Sequence, residues 1–285
     1  MTTGDGAACV IGWPIEHSRS PLIHNYWLKT NGIAGAYRRE AVRPEEFRAF
    51  VQSLAARGYA GANVTVPHKE AALECSRPDD RARAVGAANT LWLDGGVLHS
   101  TNTDVAAFLN NLDAGASGWD RDLKKTVVLG AGGAARAVVH ALLERGAERI
   151  VVANRTYQRA QALRERFGAP VHPTRWDERN AVLGDAALLI NTTTLGMTGQ
   201  PGLALDIGRL PSHAIVADLV YVPLVTPLLR AARERGHRTA DGLGMLMHQA
   251  VGGFALWFEK KPEVTAELRA LLEADLSLPP AKPQE

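Results

Sequence analysis

Apolar residues along the chain alternate between short β-branched runs and longer segments with helical spacing. The first examples are a strand predicted over Ala7 to Ile11, a helix over Leu22 to Asn31 and a short strand over Asn63 to Val66. Strands that alternate with helices are typical of α/β proteins with mostly parallel strands. The pattern therefore predicts an α/β fold.

The most clearly defined unit begins at Thr126 to Leu129, four residues that are typical of a fully buried strand. A helix is predicted over Ala134 to Arg145, and Gly146 follows it at the position that favours a left-handed cap. The next strand is predicted over Ile150 to Ala153. The order strand, helix, strand indicates a parallel sheet.

Two later segments, Leu188 to Asn191 and Ile215 to Asp218, are predicted to join the same sheet. Each ends in a polar residue, at the carboxyl edge where parallel sheets bind ligands. Towards the end of the chain, Met245 to Phe258 and Pro262 to Leu276 are predicted to be helices without a strand between them. The proline-rich segment Leu278 to Glu285 is expected to fray.

Charge and composition argue against several classes of partner. The 32 lysines and arginines nearly balance 30 acidic residues, so we expect neither nucleic acid nor an anionic membrane to bind. No apolar run reaches the roughly 20 residues that span a bilayer, and Met1 to Gly6 does not resemble a signal peptide. Cys9 and Cys75 lack metal-ligand spacing, so both are expected to be reduced and structural. We predict a cytoplasmic protein that holds no metal and acts on a small molecule.

A glycine-rich segment lies between the strand at Thr126 and the helix that follows it. Gly130 permits a tight turn, Gly132 lets the backbone approach a pyrophosphate, and the helix from Gly133 offers free N–H groups. The spacing G-x-G-G-A-A is a variant of the dinucleotide fingerprint, which is weak evidence alone and stronger between a strand and a helix. We assign five residues here to a cofactor: Gly130, Ala131, Gly132, Gly133 and Ala134.

The end of the second strand of this unit distinguishes NADP from NAD. NAD-binding proteins have an acidic residue about 20 residues after the glycines, whereas this chain has Asn154, Arg155 and Thr156, with Arg159 one turn later. Guanidinium groups bind a 2′-phosphate well. The alternative is that both arginines are ordinary solvated charges. We favour NADP(H) as the cofactor.

Two charged residues before the glycine turn are candidates for acid–base chemistry. Reduction of a carbonyl needs a proton donor near its oxygen, and a lysine beside a carboxylate can supply one. Lys69 and Asp104 both follow strand-like runs, although isolated pairs of this kind more often lie on the surface. Ser18 and Ser20 are two apart, so in an extended loop both hydroxyls point the same way and can bind a carboxylate. Alone, such serines more often cap helices or turns.

Seven motifs together give the chain a resemblance to the shikimate dehydrogenase family. They run in order over nearly the whole chain and several are long enough to be specific. The motifs are PIEHSRSPLIHN (14–25), GANVTVPHK (61–69), GAANT (86–90), NTD (102–104), GAGGAAR (130–136), NRT (154–156) and ADGLGMLMHQA (240–250).

The resemblance implies NADPH-dependent reduction of 3-dehydroshikimate to shikimate, a step of aromatic amino-acid biosynthesis. It implies that Lys69 and Asp104 form the catalytic pair. The residues it places around the substrate are Ser18, Ser20, Thr65, Asn89, Tyr221 and Gln249. On the same basis, Thr192, Gly242 and Met245 are assigned to the cofactor.

The family architecture implies two domains with the active site in the cleft between them. The substrate-binding domain is expected over residues 1–104 plus 243–285, where the terminal helices fold back, and a Rossmann-type NADP-binding domain over 105–242. We expect a monomer or a homodimer. The chain departs from the family pattern at Val105, where glycine is common, and in the segment NTTTLGM from Asn191 to Met197. Neither departure removes a proposed catalytic group.

Three alternatives stay open. Within the family, some members oxidise quinate or use NAD, although the second serine and Asn154 with Arg155 argue against both. A non-catalytic NADPH sensor has no need of Lys69 and Asp104. A reductase of the glutamyl-tRNA reductase type requires a nucleophilic cysteine and an RNA-binding surface, neither of which the sequence predicts.

Overall fold

The computed structural model describes residues 6–277, and within them the chain forms two six-stranded sheets. The strands of the first sheet are β1 (Ala7–Gly12), β2 (Ala36–Ala41), β3 (Tyr59–Val64), β4 (Arg77–Pro78), β5 (Thr90–Asp94) and β6 (Val97–Thr101). Those of the second are β7 (Thr126–Leu129), β8 (Ile150–Asn154), β9 (Val171–Arg175), β10 (Leu188–Asn191), β11 (Ile215–Asp218) and β12 (Arg238–Ala240).

Helices cover the faces of both sheets. Within the described residues they are α1 (Ser20–Thr30), α2 (Phe47–Gln52), α3 (Lys69–Glu74), α4 (Asp80–Val85), α5 (Asp104–Gly115), α6 (Gly133–Glu144), α7 (Tyr157–Phe167), α8 (Pro227–Glu234), α9 (Gly242–Phe258) and α10 (Ala266–Ser277). No helix in this part of the chain combines the length and the apolar character that crossing a bilayer requires.

The second sheet is wholly parallel, with the strand order β12-β11-β10-β7-β8-β9. This is the Rossmann order, in which the first strand, β7, lies at the point where the direction of winding reverses. The carboxyl ends of β7 and β10 meet there. The predicted α/β fold with a Rossmann-type sheet is confirmed.

The first sheet is mixed, with the order β2-β1-β3-β5-β6-β4. Strand β3 pairs antiparallel with β5, and β5 pairs antiparallel with β6. The two-residue connection of Gly95 and Gly96, both with positive φ, makes β5 and β6 a hairpin. The prediction of mostly parallel strands therefore fails for this part of the first sheet.

Several predicted bounds differ from the structure. The strand predicted over Asn63 to Val66 begins at Tyr59 and ends at Val64. Gly61 and Ala62, which are weak strand formers, already pair with β1. Helix α9 begins three residues before the predicted Met245, since the Asp241 side chain accepts hydrogen bonds from the first-turn N–H groups. The other predicted ends agree with the structure or differ by at most four residues.

The two terminal helices pack against the first sheet. In α9, Phe254 and Trp257 lie in one buried cluster with Trp27 of α1 and Leu268 of α10. The Trp257 indole Nε1 donates a hydrogen bond to the Leu91 carbonyl in β5, at 2.8 Å. The start and the end of the chain thus form one core. The domain bounds at 104/105 and 242/243 stay a prediction, and the segment expected to fray, Leu278 to Glu285, lies outside the described residues.

Val105, where the chain departs from the family pattern, is fully buried in α5. It belongs to the apolar cluster that also contains Val138 of α6 and Met245 of α9. Its side chain therefore fills space between α5, α6 and α9. The Asp104 carboxylate, on the preceding residue, is not part of this apolar cluster.

Candidate active site

A cavity of about 370 Å³ lies where the carboxyl edges of the two sheets face each other. It brings together the whole predicted set of catalytic and substrate-binding residues, namely Lys69, Asp104, Ser18, Ser20, Thr65, Asn89, Tyr221 and Gln249. Three residues assigned to the cofactor also line it: Ala134, Gly242 and Met245. Residues from the start, the middle and the end of the chain therefore meet in one site, and both sheets contribute to it.

Lys69 and Asp104 form a close ion pair in this cavity. The Lys69 Nζ atom lies 2.5 Å from Asp104 Oδ2, and the two side chains are 14% and 6% exposed. Asp104 is the first residue of α5, where the helix dipole stabilises a carboxylate. An ammonium so close to a carboxylate and so shielded from water can act on a bound carbonyl.

Asn89 holds the aspartate in place. Its Nδ2 atom donates to Asp104 Oδ1 at 2.8 Å and to Thr103 Oγ1 at 3.0 Å. Its Oδ1 atom accepts from the Thr103 backbone N–H at 2.8 Å, while Asn102 Oδ1 accepts from the Asp104 N–H at 3.0 Å. Thr103 Oγ1 also donates to the Gln249 carbonyl of α9, at 2.9 Å. These bonds connect the GAANT and NTD motifs in space.

Ser18 and Ser20 both line the cavity, but the predicted extended loop is wrong. Arg19 between them has φ −98° and ψ 1°, and Ser20 is already the first residue of α1. The Ser18 Oγ atom accepts a hydrogen bond from the Ser20 N–H at 3.3 Å. The chain turns here because Pro21 fixes the start of the helix. The two hydroxyls reach the cavity from a turn and not by strand alternation.

Tyr221 approaches the same end of the cavity from the loop after β11. Burial raises the pKa of its phenol above the ordinary value, and the charges of Arg19 and Arg39 act in the opposite direction. The hydroxyl is therefore protonated at neutral pH and can donate a hydrogen bond.

Sequence analysis missed a buried polar group behind the serines. Asn63 lines the cavity, and its Oδ1 atom accepts from the Tyr37 hydroxyl at 2.6 Å. His24 stacks on Tyr37 with ring centroids 4.0 Å apart, and burial lowers the pKa of its imidazole to about 3. His24 is thus neutral. The only signal in the sequence is Asn63 itself, a lone amide in an otherwise apolar strand.

The glycine turn has the geometry that a dinucleotide requires. Gly130 has φ +104°, which only glycine adopts readily, and a Cβ atom there would meet the Thr192 hydroxyl. A Cβ on Gly132 would point into open space, and no side chain among the described residues caps the N-terminus of α6. The free first-turn N–H groups and open approach fit a pyrophosphate. Thr192 Oγ1 donates to the Leu129 carbonyl at 2.7 Å and so fixes the neighbouring strand end.

The residues predicted to recognise the 2′-phosphate do not line the cavity and lie farther along the edge of the second sheet. Asn154 ends β8, and its Nδ2 atom donates to the Thr156 carbonyl at 2.8 Å. Arg155 and Arg159 are exposed, and neither forms an ion pair with a carboxylate within residues 6–277. Their guanidinium groups are free to bind a phosphate, so the residues present fit NADP.

Asp218, at the end of β11, is a further buried acid. Burial raises the pKa of its carboxyl from 3.8 to about 6, against hydrogen bonds that favour the charged form. Its Oδ2 accepts from Thr226 Oγ1 at 2.7 Å and its Oδ1 from Asn191 Nδ2 at 2.9 Å. The carboxyl therefore ties two strand ends to the start of α8.

Two family models match the chain. The model described as "Shikimate dehydrogenase substrate binding domain" matches residues 10–91, and "Shikimate / quinate 5-dehydrogenase" matches residues 116–196. Among curated proteins, shikimate dehydrogenase (NADP(+)) from Rhodopseudomonas palustris strain HaA2 is 66% identical over 97% of this chain and 99% of its own length. Other curated relatives with the same description are 61–65% identical.

Solved structures show the same architecture. Shikimate 5-dehydrogenase from Thermus thermophilus, in complex with NADP(H) and shikimate, has a TM-score of 0.83 at 35% identity and covers 94% of this chain and 99% of its own. Quinate dehydrogenase from Corynebacterium glutamicum, in complex with NAD, has a TM-score of 0.85 at 31% identity, with 96% and 99% covered. In motifs, sequence identity and architecture alike, the chain belongs to the shikimate dehydrogenase family.

Proposed function

We propose that this protein is an NADP-dependent shikimate dehydrogenase that reversibly reduces 3-dehydroshikimate to shikimate in aromatic amino-acid biosynthesis. The observation that supports this most directly is the buried Lys69–Asp104 ion pair, which lies in the cavity directly beside the first turn of α6. The names of the 61–66% identical relatives support the substrate and the cofactor. We place the reaction in the cytoplasm.

Lys69 acts on the substrate carbonyl. A nicotinamide held on the glycine turn would supply a hydride to the carbonyl carbon, and the carbonyl oxygen would then carry negative charge that must be stabilised and protonated. The Lys69 ammonium donates a hydrogen bond to this oxygen and transfers its proton, so an alcohol forms. In the reverse direction, neutral Lys69 accepts the hydroxyl proton.

Asp104 and Asn89 keep the lysine in position. The Asp104 carboxylate accepts a hydrogen bond from Asn89 at 2.8 Å and holds the Lys69 ammonium at 2.5 Å. Because Asp104 is 6% exposed, little water competes for this ion pair. The same carboxylate is available to accept a hydrogen bond from a hydroxyl group next to the carbonyl.

The substrate carboxylate binds at the opposite end of the cavity. The hydroxyls of Ser18, Ser20 and Tyr221 can each donate one hydrogen bond there. Gln249 and Thr65 line the space between the two ends. A ring that spans from the serines to Lys69 thus has its carbonyl beside the ammonium, which accounts for a small polar acid as substrate.

The decisive experiment is the loss of absorbance at the NADPH band when 3-dehydroshikimate is added to the purified protein. We expect turnover with NADPH that is much faster than with NADH, and faster oxidation of shikimate than of quinate. Faster quinate oxidation with NAD would make the protein a quinate dehydrogenase. Binding of NADPH without turnover of either acid would favour the sensor alternative.

A further inference from the structure

The carboxylate end of the cavity lacks a positively charged side chain on its wall. Of the described residues that line the cavity, only Lys69 and His17 can carry positive charge, and Lys69 is paired with Asp104. The hydroxyls of Ser18, Ser20 and Tyr221 are neutral donors. A carboxylate that binds there loses its hydration, and a nearby positive charge would offset the free-energy cost of that loss.

An arginine on β2 lies directly behind this end. The Arg39 Nε and Nη2 atoms donate two hydrogen bonds to the Ser18 carbonyl oxygen, at 2.9 and 2.8 Å. This fork fixes the guanidinium against the peptide that carries the Ser18 hydroxyl. The positive charge is therefore held one peptide away from the cavity.

The charge of Arg39 is not cancelled by a neighbour. Arg19 also lies near this end, but its Nε atom forms an ion pair with Asp275 of α10 at 2.5 Å. Arg39 has no carboxylate within 4.0 Å among residues 6–277. The positive charge of Arg39 lowers the pKa of the Tyr221 phenol, whereas burial raises it. Arg39 is therefore close enough to act electrostatically on a group in the site.

We propose that Arg39 is a specificity-determining residue, which favours an anionic substrate by placing an unpaired positive charge behind Ser18 and Tyr221. It does not touch the substrate and is not catalytic. The inference rests on the proposed function, since it concerns how the same site selects a carboxylic acid.

The test compares shikimate with its methyl ester in steady-state oxidation by NADP⁺. We expect Arg39→Ala to raise KM for shikimate about two- to fivefold, the effect of one partly exposed charge. The KM for the ester, the KM for NADP⁺ and kcat should stay within error. Higher salt should reduce the difference between the wild type and the variant, because it screens the charge.

Two substitutions separate the charge from the hydrogen bonds. Arg39→Lys keeps the charge and should restore most of the shikimate KM, whereas Arg39→Gln keeps a donor for Ser18 without charge and should not. Arg38→Ala is the matched control, because the neighbouring residue on β2 faces the other side of the sheet. It should leave both KM values unchanged.

Parallel increases in KM for the acid and the ester, or full recovery with Arg39→Gln, would overturn the proposal, because either would show that only the Ser18 geometry matters. An unchanged shikimate KM in Arg39→Ala would also overturn it. If the wild-type protein itself fails to oxidise shikimate, the proposed function is what fails.

Discussion

Gly133, in the first turn of α6, lies against the side chain of Lys69: a Cβ atom on Gly133 would be 3.2 Å from the lysine Cδ and 3.4 Å from its Cβ. Beside this contact, Arg136 of α6 forms an ion pair with Glu70 of α3 at 3.4 Å. The glycine turn of the second sheet thus borders the proposed proton donor of the first. The identity of residue 133 therefore matters for the chemistry as well as for the cofactor.

We expect Gly133→Ala to lower kcat about tenfold, because the added methyl group displaces Lys69 from its position beside the carbonyl. The free energy of unfolding should change little, since the lysine is flexible enough to move aside. Steady-state kinetics and urea unfolding measure the two effects. Gly184→Ala, where a Cβ meets nothing within 4 Å, is the control. Wild-type kcat in Gly133→Ala would contradict the assigned position of Lys69 in the reaction.

Lys69→Ala should lower kcat by about 10²- to 10⁴-fold, the usual contribution of a general acid. The Kd for NADPH, measured by fluorescence titration, should change little because the lysine acts on the carbonyl. Asp104→Asn should also reduce kcat, since the ammonium loses its charged partner. Lys29→Ala, on the exposed surface of α1, controls for the loss of a lysine. Near wild-type turnover in Lys69→Ala would remove this residue from the mechanism.

Arg155→Ala should raise KM for NADPH about ten- to hundredfold, the range expected for losing hydrogen bonds to a charged group. KM for NADH should not change, because NADH lacks the 2′-phosphate. Initial rates with both cofactors at saturating 3-dehydroshikimate provide the measurement. Arg48→Ala in the exposed part of α2 is the control. An equal rise in both KM values would mean that Arg155 does not recognise the phosphate.

Asp218 makes the stability depend on pH. Because the pKa of its carboxyl is about 6 in the folded protein and near 3.8 when unfolded, the folded state binds the proton more tightly. The protonated carboxyl therefore stabilises the folded state fully below pH 3.8. About 3 kcal/mol of the free energy of unfolding is lost as the pH rises through 6.

Asp218→Asn removes this titration. Relative to the variant, the wild-type protein should become less stable between about pH 4 and 6.5 and then reach a constant difference. Urea unfolding of both proteins across this pH range measures the difference in their free energies of unfolding. If this difference does not vary with pH, the Asp218 carboxyl has the same pKa in the folded and unfolded states.

Gly61→Ala should destabilise the protein by about 3 kcal/mol, because a Cβ atom there would overlap the Leu91 carbonyl and the Trp257 indole nitrogen. Backbone and a buried tryptophan cannot easily move aside. Thermal or urea unfolding detects the loss. Gly115→Ala, whose nearest neighbour is 3.8 Å away, is the control and should be neutral or stabilising. Equal stability of the two variants would contradict the packing of α9 on β3.

Local patterns in the sequence were sufficient for four strands of the second sheet, β7, β8, β10 and β11, but not for its two edge strands, β9 and β12, which are not apolar runs. Each of its predicted strands is a short apolar run, and the glycines after β7 fix both the turn and the start of α6. The first sheet was harder, because β3 contains small residues and because two glycines between β5 and β6 are the sole sign of the hairpin. These glycines account for the β5–β6 pair, whereas the antiparallel pairing of β3 with β5 comes from tertiary packing, which outweighs local propensity.

For the site, the motifs led to the residues but not to their geometry. The resemblance placed Lys69 and Asp104 together although they are 35 residues apart, and the structure puts them 2.5 Å from each other. It did not find the bond between Tyr37 and Asn63, because β2 and β3 lie on either side of β1 in the sheet and only the fold brings these two side chains together. Arg39 was missed for the same reason, since only the fold brings β2 behind Ser18.

The packing of α9 and α10 on the first sheet has a consequence for the growing polypeptide. Strands β1 and β3 are translated before the second sheet, but Trp257, Leu268 and Leu272, which cover them, are translated after it. Strands β7 to β12 and the helices between them are complete before that point. Since domains generally fold as units during synthesis, the half of the protein that is translated first should be the half that finishes folding last.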